Sequence, residues 1–116
     1  MAKLFHKVAI IGTGLIGGSL ALAIKKNHLA DQVVGVSRRK KNVLLARRIG
    51  AIDQGSVGLE IIRGSDAVVL ATPVDVILKL APAISRIVPR NCLVTDVGST
   101  KFEVAQRLGR IFPNYI

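Results

Sequence analysis

Apolar residues gather in four short runs, at residues 8–11, 32–36, 67–71 and 91–95, and between the runs they recur at helical spacing. Val8, Ala9, Ile10 and Ile11 carry no polar interruption, and neither do Ala67, Val68, Val69, Leu70 and Ala71. A strand covered on both faces is apolar at every position, whereas a half-exposed one alternates, so these runs predict buried parallel strands. After the first run, Ile16, Leu20, Ala23 and Ile24 keep the period of a helix. Lys25, Lys26 and Asn27 close it with positive charge and a residue tolerant of left-handed backbone. A second helix is expected over residues 40–49, stopped by Gly50. A third shows Ile77, Leu80, Ala81, Ile84, Ile87 and Val88 along one stripe. Pro82 inside it predicts a kink or a break, because proline lacks the amide proton and crowds the preceding turn. The fourth starts at Thr100, where Glu103 completes a capping box, and turns Val104, Ala105, Leu108, Ile111 and Phe112 toward the sheet.

Strand and helix alternate throughout, so the fold class is α/β: a doubly wound, Rossmann-type parallel sheet with helices on both faces, one domain over residues 1–116. Ligands of such sheets bind beyond the carboxyl ends of the strands. The turns at residues 12–17, 37–39, 72–73 and 98–99 all fall at those ends and are expected to form one cleft. The alternation also answers a competing reading of the first apolar stretch. Residues 8–24 carry no charge, follow Lys3 and Lys7, and contain Ala21-Leu22-Ala23, the form of a signal-peptidase site, while Gly14 and Gly18 make a G-x-x-x-G pair. The run has 17 residues, short of the about 20 that span a bilayer. A secretory leader or membrane span would not be followed, at regular intervals, by the rest of a nucleotide-binding sheet.

Gly12, Gly14 and Gly17 stand in the spacing G-x-G-x-x-G directly after the first strand. In a dinucleotide-binding turn Gly12 permits the bend, Gly14 lets backbone approach a pyrophosphate, and Gly17 lets the helix press on the strand. With Thr13, Leu15 and Ile16 between them, these residues are expected to hold the cofactor, its pyrophosphate on the helix N-terminus. Ser37 stands directly after the second strand, 20 positions beyond Gly17, and Arg38 and Arg39 follow. An acidic residue at that place marks NAD. Serine with two arginines instead points to NADP, through a hydroxyl donor and guanidinium contacts to the 2′-phosphate; NAD is the lesser choice.

Composition narrows the rest. Half the residues are apolar and 3% are aromatic, which suits a buried parallel sheet and not a platform of stacking aromatics. Formal net charge is +10, with Arg38, Arg39, Lys40, Lys41, Arg47 and Arg48 forming an acid-free cluster. No helix-turn-helix, zinc-ligand or aromatic RNA-binding pattern accompanies it, so neither nucleic acid nor a membrane is expected as a partner. A single cysteine, Cys92, excludes an intramolecular disulfide and a multi-cysteine metal site. It reads as a buried strand thiol, and a cytoplasmic location is expected.

The segments VAIIGTGLIGGSLALAIKK, VVGVSRR, DAVVLATPVDVI and VTDVGSTK together resemble the N-terminal half of prephenate and arogenate dehydrogenases. The resemblance covers nearly the whole chain, and Asp96-x-Gly98-Ser99-x-Lys101 is its most specific part. It implies oxidative decarboxylation on the way to tyrosine: hydride leaves the hydroxyl-bearing ring carbon for the nicotinamide while the ring loses carbon dioxide and becomes aromatic. It implies for Ser99 a catalytic hydrogen bond to the substrate hydroxyl and the catalytic histidine. For Thr72 and Pro73 it implies a place under the nicotinamide and its ribose, with a plain strand-to-helix turn as the alternative for Pro73. Asp96 stays open between orienting the site and bonding to its own turn.

The same resemblance implies a general base in a His-Pro-x-Ala-Gly segment after the next strand, and a helical domain that pairs subunits into homodimers and adds substrate-binding arginines. The chain reaches Asn114-Tyr115-Ile116, where that strand is expected to start. The domain is therefore expected to be incomplete at its C-terminal end and to bind dinucleotide without turning over substrate. His6 and His28 do not replace the missing base, since both are expected at the opposite end of the sheet. Two alternatives stand beside this reading: another small NAD(P)-dependent dehydrogenase or reductase, and a stand-alone, non-catalytic nucleotide-binding module.

Overall fold

The computed structural model of the chain describes residues 3–97 and 102–116, and side chains from residue 105 onward in the last helix. Five strands, β1 (Phe5–Ile11), β2 (Ala30–Val36), β3 (Gln54–Ser56), β4 (Ala67–Leu70) and β5 (Leu93–Asp96), form one sheet in the order β3-β2-β1-β4-β5. All pairings are parallel. Helices α1 (Leu15–Lys26), α2 (Lys40–Arg48), α3 (Val74–Ile87) and α4 (Phe102–Ile111) connect them, with a 3₁₀ helix at Leu59–Ile62.

Both faces of the sheet are covered, which is why its strands lack alternation. Ala9, Ile11, Val34, Val36, Val68, Leu70 and Val94 pack toward α3, α4 and the 3₁₀ helix, against Ile62, Ile77, Ala81, Ile84, Leu108 and Phe112. Val8, Ile10, Val33, Ala67 and Val69 pack toward α1 and α2, against Ala21, Val43, Ala46 and Ile52. Each fully buried side chain of this size stabilises the fold by about 1.5–3 kcal/mol, so the sheet interior holds the two layers together.

Four strands were expected and five form. β3 escapes the apolar criterion because Gln54, Gly55 and Ser56 are polar or small and lie at the sheet's edge. The stripe on α1 differs too. Its buried residues are Gly17, Gly18 and Ala21, while Ile16 is 60% exposed and Ala23 is also exposed. Small residues let this helix lie close to β1, and of the expected stripe Leu20 and Ile24 pack against the core from its flanks. The left-handed residue that ends the helix is His28 (φ 54), not Asn27 (φ −94), whose backbone and side-chain amides both donate to the Ala23 carbonyl. Gly50 ends the α2 segment as expected, with φ 81.

Pro82 does not break its helix: α3 runs continuously from Val74 to Ile87, with Pro82 exposed and Ile77, Ala81 and Ile84 buried beneath. His6 lies within β1 and not before it. At the other end of the chain, Tyr115 pairs in parallel with Val94, so residues 114–116 continue the sheet beyond β5. The capping box of Thr100 and Glu103 lies outside the residues whose side chains are described. Among the described residues no helix is long and apolar enough to cross a membrane.

Candidate functional site

Strand register decides where the site forms. Ile11 is opposite Val36 on one side and Leu70 on the other, Val36 is opposite Ser56, and Leu70 is opposite Asp96. The carboxyl ends of all five strands are therefore level. The next residues are tied across the gaps: Gly12 N–H donates to the Val36 carbonyl (2.7 Å), Ala71 N–H to that of Ile11 (2.8 Å), Ser37 N–H to that of Ser56 (3.2 Å) and Val97 N–H to that of Leu70 (3.1 Å). β1 sits between β2 and β4, and the connections from these three strands open outward around it, so a crevice is left above β1.

That crevice is a cleft of about 410 Å³ lined by Gly12, Thr13, Gly14, Ser37, Arg38, Arg39, Asn42, Ala71, Thr72 and Pro73. Three of the four expected turns thus meet. The fourth, with Gly98 and Ser99, lies outside the described residues. Leu15 and Ile16 are exposed at 88% and 60%, and Leu15 lines an adjoining apolar cleft of about 390 Å³ between α1 and α2. Asn42 and Ala71 were not foreseen. Asn42 sits in the first turn of α2, and the helical phase of a short basic segment is the signal that could have pointed to it.

The three glycines differ in what they permit. Gly12 has φ 99, and a Cβ there would lie 2.8 Å from Thr72 Cγ2. A Cβ on Gly17 would lie 1.8 Å from the Gly12 carbonyl oxygen, so the helix can approach the turn only through glycine. A Cβ on Gly14 would meet nothing within 4 Å. The space beside Gly14 is not taken by protein, and it opens onto the cleft. Gly14 caps α1 without a side-chain hydrogen bond, and no acidic residue occupies the first turn. Its first N–H groups and positive dipole end thus remain available to an anion.

Electrostatics favour the same ligand. Among the described residues no carboxylate lines the cleft. Arg38 and Arg39 are exposed and have no carboxylate partner among the described residues. Ser37 is buried, and its hydroxyl oxygen accepts the Arg39 N–H at 3.4 Å, which leaves the hydroxyl proton to donate. The hydroxyl oxygens of Thr13 and Thr72 are buried without a hydrogen-bond partner, an arrangement costing about 1–3 kcal/mol each unless something else supplies the bond. A Cβ on Gly35 would lie 2.7 Å from Thr13 Cγ2, so Gly35 in β2 makes room for that side chain. These residues fit a dinucleotide.

Beyond the cleft, the phenol of Tyr115 donates to Asp96 Oδ1 at 2.6 Å, at the end of β5. Burial and this hydrogen bond push the phenol up to about 12. His6 and His28 are both exposed, His6 bonded through Nδ1 to Asp31 at the amino end of the strands, away from the cleft. Cys92 is buried as expected, although it lies one residue before β5 and not within the strand, and its burial pushes it up to about 11.

Comparison with known proteins agrees with this geometry. A family model described as the nucleotide-binding domain of prephenate dehydrogenase matches residues 20–116. The prephenate dehydrogenase of Bacillus subtilis (strain 168) is 32% identical, aligned over 98% of this chain and 31% of its own length. That of Lactococcus lactis subsp. cremoris (strain MG1363) is 37% identical, aligned over 91% of this chain and 30% of its own length. The chain therefore spans about a third of the curated relatives it matches. Prephenate dehydrogenase from A. aeolicus, crystallised with hydroxyphenyl propionate and NAD+, superposes with a TM-score of 0.89 at 27% identity, covering 95% of this chain and 40% of that one. Synechocystis arogenate dehydrogenase superposes with a TM-score of 0.88 at 26% identity, covering 94% and 38%. The glycine turn precedes the segment matched by the family model but lies within the alignment to the B. subtilis relative, so sequence, fold and cleft together show that the chain belongs to the prephenate dehydrogenase family, as its nucleotide-binding domain.

Proposed function

We propose that this domain binds NADP and serves a dehydrogenase that oxidatively decarboxylates prephenate or arogenate. The observation that carries the cofactor assignment is the end of β2: a buried serine followed by two arginines that, among the described residues, have no carboxylate partner, in a cleft that no described carboxylate lines. An acid at this position would accept both ribose hydroxyls of NAD and repel a 2′-phosphate. In this reading Gly12, Thr13, Gly14, Leu15, Ile16 and Gly17 hold the pyrophosphate, Ser37, Arg38 and Arg39 the 2′-phosphate, and Thr72 and Pro73 the nicotinamide ribose. The bound cofactor supplies the hydride acceptor.

The substrate-side role falls to Ser99, by its place in the segment Asp96-x-Gly98-Ser99-x-Lys101. In a protein of the relatives' full length, Ser99→Ala lowers kcat by about 10 to 1,000-fold with little change in cofactor affinity, since the hydrogen bond acts in the transition state. Unchanged kcat removes Ser99 from the mechanism. A cytoplasmic location and assembly as a homodimer belong to the same proposal and rest on the resemblance.

The cofactor reading is tested by titrating the domain with NADPH and NADH, by fluorescence, at low and moderate salt. NADPH binds more tightly, the preference weakens as salt screens the phosphate contact, and Ser37→Asp combined with Arg38→Ala shifts it toward NADH. Equal affinities at both salt concentrations refute the NADP assignment. Preference for NADH favours the second reading, which the A. aeolicus complex with NAD+ supports.

A further inference from the structure

Asn42 lies in the first turn of α2, half-buried, where it lines the cleft together with Ser37, Arg38 and Arg39. Its backbone N–H is used by the Arg39 carbonyl at 3.0 Å, but its carboxamide makes no hydrogen bond to any described residue. The helix does not employ it either. Arg39 is the N-cap, α2 has no side-chain cap, and its first turn holds no acidic residue. Asparagine is a poor helix former, because its amide competes for backbone groups. Here it makes no such bond, so local structure does not account for its presence.

We propose that Asn42 is a specificity-determining residue whose Nδ2 donates to the 2′-phosphate of NADP; this rests on the dinucleotide reading above. Three features support it. The backbone bond to Arg39 fixes Asn42 to the same turn as Ser37 and the two arginines. A phosphate carries more acceptor oxygens than one serine and one guanidinium fill. A neutral amide also adds a donor without adding repulsion among neighbouring cations, which already include Arg38, Arg39, Lys40 and Lys41. The side chain thereby distinguishes a phosphate from a ribose hydroxyl by directed hydrogen bonding, where the arginines act largely through charge.

The test compares wild type, Asn42→Ala and Asn42→Asp for binding of NADPH and NADH by fluorescence, and of 2′,5′-ADP and AMP by calorimetry. Thermal unfolding of each variant shows that α2 is intact. Asn42→Ala weakens NADPH and 2′,5′-ADP by about 10-fold while NADH and AMP change by less than about twofold, the difference expected for one hydrogen bond to a charged group. Asn42→Asp weakens the phosphorylated ligands further, because a carboxylate faces the phosphate, and salt reduces that excess. Wild-type preference for NADPH that persists unchanged in both variants overturns this inference and leaves the cofactor assignment standing. Equal losses for all four ligands overturn it too, since they mark a general disturbance of the cleft. A wild type that binds neither dinucleotide overturns the cofactor assignment and this inference with it.

Discussion

The carbonyl oxygen of Gly12 occupies the place where a side chain on Gly17 would begin, 1.8 Å from the Cβ position. Two residues of one motif are thus in mutual contact, whereas a Cβ on Gly14 between them would meet nothing within 4 Å. Gly17→Ala must push α1 off the turn and costs about 3 kcal/mol or more, as overpacking against backbone does. Gly14→Ala changes stability by less than about 0.5 kcal/mol but weakens dinucleotide binding by about 10-fold or more, because the methyl group enters the ligand's space. Denaturant melts and cofactor titrations of the two variants separate these effects. A Gly14→Ala protein with wild-type affinity shows that the open space is not a ligand seat.

Asp53 joins the end of α1 to the sheet. It accepts Lys25 Nζ and, through Oδ2, the Val33 N–H at 2.8 Å. Burial raises its carboxyl, but these two partners outweigh burial and hold it below the ordinary carboxylate value. The carboxylate therefore stabilises the fold above the unfolded pKa, near 3.9, and that contribution fades as pH falls through the lower folded value. With about a third of each side chain exposed, Asp53→Asn costs about 0.5–1 kcal/mol at neutral pH. The cost disappears in strong acid. Denaturant titrations at both pH values check this, and an equal loss at both denies the charge a role.

The chain has one tyrosine and no tryptophan, so phenolate absorbance reports Tyr115 alone. In the folded protein its midpoint lies at about 12 instead of the ordinary 10. The raised value stabilises the fold fully below the ordinary value, and the stabilisation is lost as pH rises through the folded one. Asp96→Asn brings the midpoint down, although burial, the larger cause, keeps it above 10. A wild-type midpoint at the ordinary value excludes the bond to Asp96.

Cys92 is raised by burial from 9 to about 11, so at neutral pH it carries about a hundredfold less thiolate than an ordinary thiol. A thiol reagent modifies the native protein more slowly than the unfolded protein by at least that factor, and the remaining rate follows unfolding. Stopped-flow or mass-spectrometric labelling with and without denaturant measures the ratio. Similar rates in both states place Cys92 at the surface.

Most of the sheet was legible because burial on both faces writes itself into sequence as runs such as Val8 to Ile11 and Ala67 to Leu70. The glycine turn and the serine-arginine turn were legible for the same reason: their places follow from where strands end. β3 was not, since an edge strand of Gln54, Gly55 and Ser56 needs no apolar side chains. The interval between Gly50 and Gly64 was nonetheless too long for an unstructured connection in a compact domain. The buried face of α1 was legible in part: Leu20 and Ile24 pack against the core as their spacing predicts, whereas Gly17, Gly18 and Ala21, the residues nearest the sheet, are too small to stand out as apolar. Tyr115 bonding to Asp96 depends on a register formed between segments 19 residues apart, which no local pattern encodes.

The two borders of the sheet are both short. Beside β5, the Val94 N–H donates to the Asn114 carbonyl and the Ile116 N–H to that of Val94, so β5 has a neighbour on both sides and the border there is the short segment 114–116. On the other side β3 offers three residues. An unpaired border is a template on which a second chain can add, and the hazard grows with its length and flatness. Little backbone on the β3 side is open to strand addition.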